Sequence, residues 1–269
     1  MNDYTHEKLT DHLYRITDHT GVCCYLAIGH NKAALLDTCN GLGDIRSYVE
    51  SLTSLPVIVI LTHGHLDHMG GAAIFKEIHM NHKDLPVFNK HGDMTFRVSD
   101  TNGMLHEQLT ASDFIPTYEG DFIDIKNEEV FNLGDLHIKM IPVPGHTPGM
   151  MCPLIMEDRI IIFGDACGVG VLLFDEFSSN VSSYKGSLIY LKTFEHDYDT
   201  IYRNHGTFTS PKELLDNVIT CCEDILTHKD DHVPVEFHGS HLFAAKKMNG
   251  HQRVDGKEGN IMYSLDKAN

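Results

Sequence analysis

Short apolar runs open the chain. His12 to Ile16, Val22 to Ile28 and Ala33 to Asp37 are separated by Asp, Gly and Asn breakers, a spacing that predicts an antiparallel meander. Ile45, Tyr48, Val49 and Leu52 then recur at the 3.6-residue period of an amphipathic helix, closed by Pro56. Val57 to Leu61 is uniformly β-branched or aliphatic, as a strand buried on both faces should be. Gly70 to Glu77 predicts a short helix, and Leu85 to Asn89 a further strand. Residues 91–115 are polar and hold no sustained period, so they read as loop and short helix at a functional rim. Two hairpins are predicted downstream, around Gly134-Asp135 and around Glu157-Asp158. Ser183 to Glu195 and Pro211 to Leu226 predict helices, the second with Pro at its first position. Val254 to Lys257, followed by Asn260 to Leu265, predicts a last hairpin. Two blocks of strands, each closing in helices, imply an α+β fold: two stacked sheets with helices outside, a four-layer αβ/βα sandwich. No repeat or linker divides the chain. It reads as a single domain over residues 1–269 with a C-terminal hairpin extension over about residues 231–269.

Composition narrows the classes. Hydrophobic residues at 42% and charged residues at 22% exclude a disordered, collagenous or coiled-coil chain. Lys+Arg 21 against Asp+Glu 38 gives a net charge of −17, which repels phosphate backbones and anionic lipid, so nucleic acid and membrane are not expected as partners. The aliphatic stretches Val57 to Leu61 and Ile160 to Phe163 fall far short of the roughly 20 apolar residues of a membrane helix. The opening MNDYTHEKLT lacks a basic segment followed by an apolar run, so a soluble cytoplasmic protein is expected, with homo-oligomerisation left open. Cys23, Cys24, Cys39, Cys152, Cys167, Cys221 and Cys222 form an odd set without C-x-x-C spacing and read as reduced, buried small hydrophobes. Twenty histidines are the anomaly.

After the buried strand comes Thr62-His63-Gly64-His65-Leu66-Asp67-His68, which places four metal-ligating side chains just past a strand end. Imidazole and carboxylate together suit Zn²⁺ or Fe²⁺. A core of this size forms without metal, so any metal here is functional.

This His-x-His-x-Asp-His run resembles the signature of the metallo-β-lactamase-fold superfamily, and further motifs resemble that family in order: Pro144 to Gly149 around His146, Phe163-Gly164-Asp165, and Tyr202 to Gly206 around His205. The resemblance covers about residues 12–230 and implies the ligand sets residue by residue. His63, His65 and His146 would hold one metal, Asp67, His68 and His205 a second, and Asp165 would bridge both. Asn204 departs from the proline or glycine that many relatives carry beside the last ligand. The implied cofactors are two Zn²⁺ ions, with Mn²⁺ or Fe²⁺ as substitutes, sharing a hydroxide that Asp67 and Asp165 orient and relieve of its proton.

A bridging aspartate where the commonest zinc β-lactamases have cysteine points to the hydrolase branch: glyoxalase II-type thioesterases, lactonases and phosphodiesterases. Cys167 is out of register for that ligand and reads as a packed thiol. Gly168 stands where quorum-signal lactonases commonly place tyrosine. The expected function is hydrolysis of a small ester, thioester, lactone or phosphoester. The alternatives are an oxidoreductase like the persulfide dioxygenases, with one Fe²⁺ on residues matching His63, His146 and Asp165, and a metal-binding regulator without catalysis. Tyr184, Tyr190, Phe174, Phe177 and Phe208 are candidates for substrate contact or for core, His238 and His241 for pocket lining, and Lys246, Lys247 and Arg253 for a basic region like that of glyoxalase II or for a solvated turn.

Overall fold

The structure, a computed structural model, describes residues 4–105, 108–237, 239–250 and 252–269. It divides into two compact units. The first comprises Met1–Met140, Ile155–Asp158 and Asn204–Gly206, the second Ile141–Leu154, Arg159–Arg203 and Thr207–Asn269.

The first unit is built on a seven-stranded sheet in chain order: β1 (Thr5–Lys8), β2 (Leu13–Thr17), β3 (Cys23–Ile28), β4 (Ala33–Leu36), β5 (Val57–Ile60), β6 (Ile78–Met80) and β7 (Ile123–Asp124). The first four strands form the antiparallel meander read from the breakers, to which the structure adds β1. Helix α1 (Ile45–Leu52), capped by the Asp44 side chain on the Ser47 amide, returns the chain so that β5 lies parallel to β4. The next two strands continue in parallel. Behind β5 follow α2 (Leu66–Met69), α3 (Leu85–His91) and α4 (Met94–Leu105). Ile45, Val49, Val59, Leu61, Leu66 and Met69 belong to this unit's own core. Strand β8 (Val130–Asn132) pairs antiparallel with the start of β9 (His137–Pro142) about Gly134, whose φ of 117° suits the predicted turn.

The second unit contains all but the last residue of β10 (Met151–Ile155), and β11 (Ile160–Ile162), β12 (Val171–Leu173), α5 (Val181–Lys192), β13 (Thr200–Tyr202), β14 (Thr209–Ser210) and α6 (Leu214–Leu226). The hairpin pair β15 (Val233–Phe237) and β16 (Ser240–Ala244), the short pair β17 (Met248–Asn249) and β18 (Gln252–Arg253), and β19 (Ile261–Tyr263) complete it. Strands β14, β13, β11 and β10 are neighbours in that order, and a second sheet runs β12-β19-β16-β15. Helices α5 and α6 pack together over a core that includes Leu188, Leu191, Val218 and Ile225.

Three local expectations are corrected. Leu85 to Asn89 is helix, not strand: Pro86 occupies the first turn, where its missing N–H costs nothing. Residues 91–115 contain the three-turn helix α4, whose buried positions are Arg97 and Thr101, so no apolar period marks it. Ile261–Tyr263 closes no hairpin with the preceding turn but pairs with β12 and β16.

Arg97 is fully buried and donates to the carbonyls of Asn40 (2.9 Å), Gly70 (3.0 Å) and Ile115 (2.9 Å), and burial pushes its guanidinium down to about 10. All seven cysteines are free and buried; burial raises the Cys221 thiol to about 11 and pushes Cys23, Cys152, Cys167 and Cys222 higher. Among the described residues no helix is long and apolar enough to cross a membrane.

Arg97→Met leaves three carbonyls without their donor and is expected to lower unfolding free energy by about 3 kcal/mol in a urea titration. A change below about 0.5 kcal/mol, the range of an ordinary surface substitution, would show the latch to be dispensable. A thiol reagent at neutral pH should react with none of the cysteines until denaturant is added. Rapid reaction in the folded protein would contradict their burial.

Candidate metal centre

Strands β4 and β5 are parallel neighbours, so their C-terminal ends open on the same side, and there the sequence places Asp37 and Thr62. The Asp37 carboxylate is buried and accepts from the Thr62 amide (2.7 Å), the Thr62 hydroxyl (2.9 Å), the Asn204 side-chain amide (3.2 Å) and His68 Nδ1 (2.9 Å). A carboxylate only accepts, so His68 carries its proton on Nδ1 and presents Nε2 as a lone pair. The same logic passes one residue further. Thr62 spends its hydroxyl proton on Asp37 and therefore accepts from His63 Nδ1 at 3.0 Å, which turns His63 Nε2 into a second lone pair.

These nitrogens meet other donors at matched distances. His63 Nε2 lies 3.1 Å from His65 Nδ1, and His68 Nε2 lies 3.3 Å from His205 Nε2. Asp67 Oδ2 is 3.5 Å from His68 Nε2 and 3.2 Å from His205 Nε2. Ligands bonded at about 2.0–2.1 Å in a tetrahedron stand about 3.3 Å apart, so both groupings have the spacing of donors around Zn²⁺ or a similar ion. Asp67, His68 and His205 offer three ligand atoms within 4.8 Å of one another. The donor set fits a transition metal.

The loop is held tightly. Gly64 donates its amide to the buried Asp84 carboxylate at 2.8 Å, and a Cβ there would stand 2.8 Å from the Phe88 backbone, so glycine is required for the close approach of α3. Asn204 gives its side-chain amide to the Cys23 carbonyl (2.7 Å) as well as to Asp37, and its own carbonyl receives the Cys23 amide (3.0 Å). The departure from proline or glycine thus fastens the His205 segment to β3.

In the second unit His146 Nδ1 donates to the Leu172 carbonyl at 2.9 Å, again leaving Nε2 as the lone pair, and that nitrogen lies 3.6 Å from Asp165 Oδ2. Tyr184 braces this pair: its hydroxyl donates to the Ala166 carbonyl at 2.7 Å, and its ring fills the space where a Cβ on Gly145 would fall. Tyr184 is fully buried and serves the core, and Cys167 is packed beside it.

The other candidates are dispersed. His241 is exposed and paired with Glu236, while Lys246 bonds Asp224 and Arg253 bonds Asp255 and the Gly259 carbonyl. His238 lies outside the described residues. Tyr190 is on the exposed side of α5 against Phe194, and Phe208 has φ 62° in the turn before β14. Sequence reading missed Asp37, Thr62, Asn204 and Asp84 as supports, and also His91, whose ring centroid is 4.3 Å from that of His65. The one available signal was an acid closing the strand adjacent to the buried strand.

Histidines with fixed tautomers and carboxylates at metal-ligand spacing, on an α+β frame, form a candidate metal centre. The chain belongs to the metallo-beta-lactamase superfamily, whose pattern matches residues 18–202. It is 24% identical over 211 residues to the human protein named acyl-coenzyme A thioesterase MBLAC2, covering 68% of this chain and 74% of that one. It is 25% identical over 200 residues to hydroxyacylglutathione hydrolase GloC of Haemophilus influenzae, covering 70% and 86%. An Aquifex aeolicus protein is 29% identical over 123 residues, 45% of this chain, and the match spans only 54% of that protein's length. Among solved structures, a double mutant of the sec-alkyl sulfatase PisA1 superposes with a TM-score of 0.68 at 12% identity, over 84% of this chain and 42% of the sulfatase. A metallo-beta-lactamase from Pontibacter korlensis gives 0.58 at 14% identity, over 82% and 99%. These likenesses show the metallo-β-lactamase fold, the α+β class expected from the sequence.

Asn204→Ala and Asp37→Asn are expected to weaken zinc binding about 10- to 100-fold, as loss of a ligand's supporting hydrogen bond does. Competition with a chromophoric chelator measures this directly. Unchanged affinity in both variants would remove these residues from the metal centre.

Proposed function

We propose that this protein is a metal-dependent hydrolase of small-molecule thioesters. In this reading, following the ligand sets that the family resemblance implies, His63, His65 and His146 would hold one ion, Asp67, His68 and His205 another, and Asp165 would serve both. Zn²⁺ is the expected metal, with Mn²⁺ or Fe²⁺ as substitutes. The observation that carries the reading is the fixed tautomer of three of these histidines: Asp37, Thr62 and the Leu172 carbonyl engage Nδ1 of His68, His63 and His146, leaving each Nε2 as the ligand atom. Within the shared chemistry of esters, lactones and phosphoesters, the relatives favour thioesters, since acyl-coenzyme A and hydroxyacylglutathione both carry an acyl group on sulfur.

When bound, such ions bring the pKa of water toward 7 and polarise an acyl oxygen. The chain's own work is positioning and proton handling. The Asp67 carboxylate, whose Oδ2 lies beside His68 and His205, accepts the proton on its other oxygen as the water oxygen bonds the acyl carbon. The carbon–sulfur bond then breaks, and Asp67 returns the proton to the departing thiolate, giving a free thiol and a carboxylic acid that loses its remaining proton to solvent. Asp165, beside His146, orients the second face of the reacting water. The net charge of −17 supports a small substrate in preference to nucleic acid or a membrane surface.

Elemental analysis of dialysed protein should give two transition-metal equivalents per chain. Less than half an equivalent would sink the proposal, and one iron with oxygen uptake on a persulfide would replace it with the dioxygenase alternative. Chelation should abolish thioester hydrolysis, and Zn²⁺ or Mn²⁺ should restore it. Asp165→Ala is expected to cost more than about 100-fold in turnover and to lower metal content, while Cys167→Ala leaves both nearly unchanged. Equal losses from the two substitutions would overturn the bridging role of Asp165.

A further inference from the structure

The segment that carries the Leu172 carbonyl wraps the His146 loop on both sides. Beyond Leu172, the Ser178 hydroxyl donates to the His146 carbonyl (3.1 Å) and the Ser179 amide to the Gly145 carbonyl (2.8 Å). The Asp175 carboxylate fixes the turn between them by accepting from the amides of Phe177 (3.0 Å) and Ser178 (2.7 Å) and from the Ser178 hydroxyl (2.8 Å). Phe174 sits inside this wrap, half-buried.

Its ring meets Phe237 edge-on, with centroids 5.8 Å apart and planes at 76°. That contact is unexpected from the sheet order. Strands β12 and β15 are opposite edges of a four-stranded sheet, which at about 4.8 Å per strand puts them about 14 Å apart. Phe243 of β16 pairs with Tyr263, the last residue of β19, so Ser240 to Leu242 run past the end of β19. Phe237 pairs with Ser240 at that same end, and its ring reaches Phe174. The hairpin is two-faced: Val233, Val235 and Phe237 alternate half-buried with exposed Pro234 and Glu236, and Glu236 pairs outward with His241. An aromatic corner is therefore built on Phe174, two residues beyond the carbonyl that holds His146.

We propose that Phe174 and Phe237 receive the acyl group of the substrate, so that the protein selects thioesters with an apolar acyl chain over short or hydroxylated ones. The inference rests on the thioesterase reading of the same site. An acyl group fits better than a thiol carrier because the two rings are apolar, and Lys246 and Arg253, two of the three cations that the sequence offered to an anionic carrier, are bonded to Asp224 and Asp255. Half-covered aromatic rings gain by burying methylene groups and lose by burying an unpaired hydroxyl.

The test compares octanoyl, acetyl and hydroxyacyl thioesters on coenzyme A and on glutathione. Wild type should prefer octanoyl, with either carrier. Phe174→Ala and Phe237→Ala should each cut the octanoyl-to-acetyl ratio of kcat/KM about tenfold, within the range for loss of apolar contacts in a pocket, and Phe237→Leu should retain most of it. Calorimetry with the non-hydrolysable thioethers S-octylglutathione and S-methylglutathione gives a readout independent of turnover and should show tighter octyl binding that both alanine variants lose. An octanoyl preference that survives both variants, or equal binding of the two thioethers to wild type, overturns the inference. Length-dependent thioether binding without hydrolysis of any thioester defeats the thioesterase reading and leaves the apolar corner standing.

Discussion

One buried carboxylate organises the first unit. Asp37 is removed from water at the end of β4, a position that would be costly for an unaccompanied charge. Four donors offset that cost, and they come from separated parts of the chain: two from Thr62, one from His68, one from Asn204. The carboxylate is aimed by a backbone φ of 66°, a left-handed conformation that costs a non-glycine residue about 1–2 kcal/mol. The neighbouring backbone completes the clamp. The Thr38 amide and hydroxyl both donate to the His68 carbonyl, the Gly70 amide donates to Cys39, and Arg97 grips the carbonyls of Asn40 and Gly70 together. The loop bearing His63, His65, Asp67 and His68 is thereby held to β4 along its whole length.

The same requirement is met differently in the second unit. His146 takes a main-chain carbonyl where His68 takes a carboxylate, so its imidazole is fixed in tautomer without an added negative charge. A ligand supported by a carboxylate is the more basic and donates more charge to its metal; one supported by a carbonyl is the weaker base. The two histidines therefore differ in basicity as prospective metal ligands.

Much of this was written in local sequence. Four ligating side chains within six residues behind an aliphatic strand are legible because both the strand and the loop are contiguous, and the meander and α1 follow from breakers and a clear period. What stayed hidden was polar or non-local. Helix α4 buries Arg97 and Thr101 in place of apolar residues, so its inward stripe leaves no hydrophobic signal. Helix α3 begins Leu-Pro-Val-Phe, a run too short to separate helix from strand by period, where the proline in the first turn was the better guide. Asp37 and Asn204 meet only through the fold, and the side chain that seemed a mere departure from relatives bonds the acid on which His68 depends.

The two kinds of side chain near the candidate donors face different constraints. Those that fix the histidines are buried and exchange hydrogen bonds with several partners, so replacing any one leaves another polar group unsatisfied. Phe174 and Phe237 are half-buried and meet each other through apolar rings. In the proposed reading, chemistry is thus tied to the buried network, while substrate choice falls to half-buried rings whose replacement leaves no hydrogen-bonding group unsatisfied.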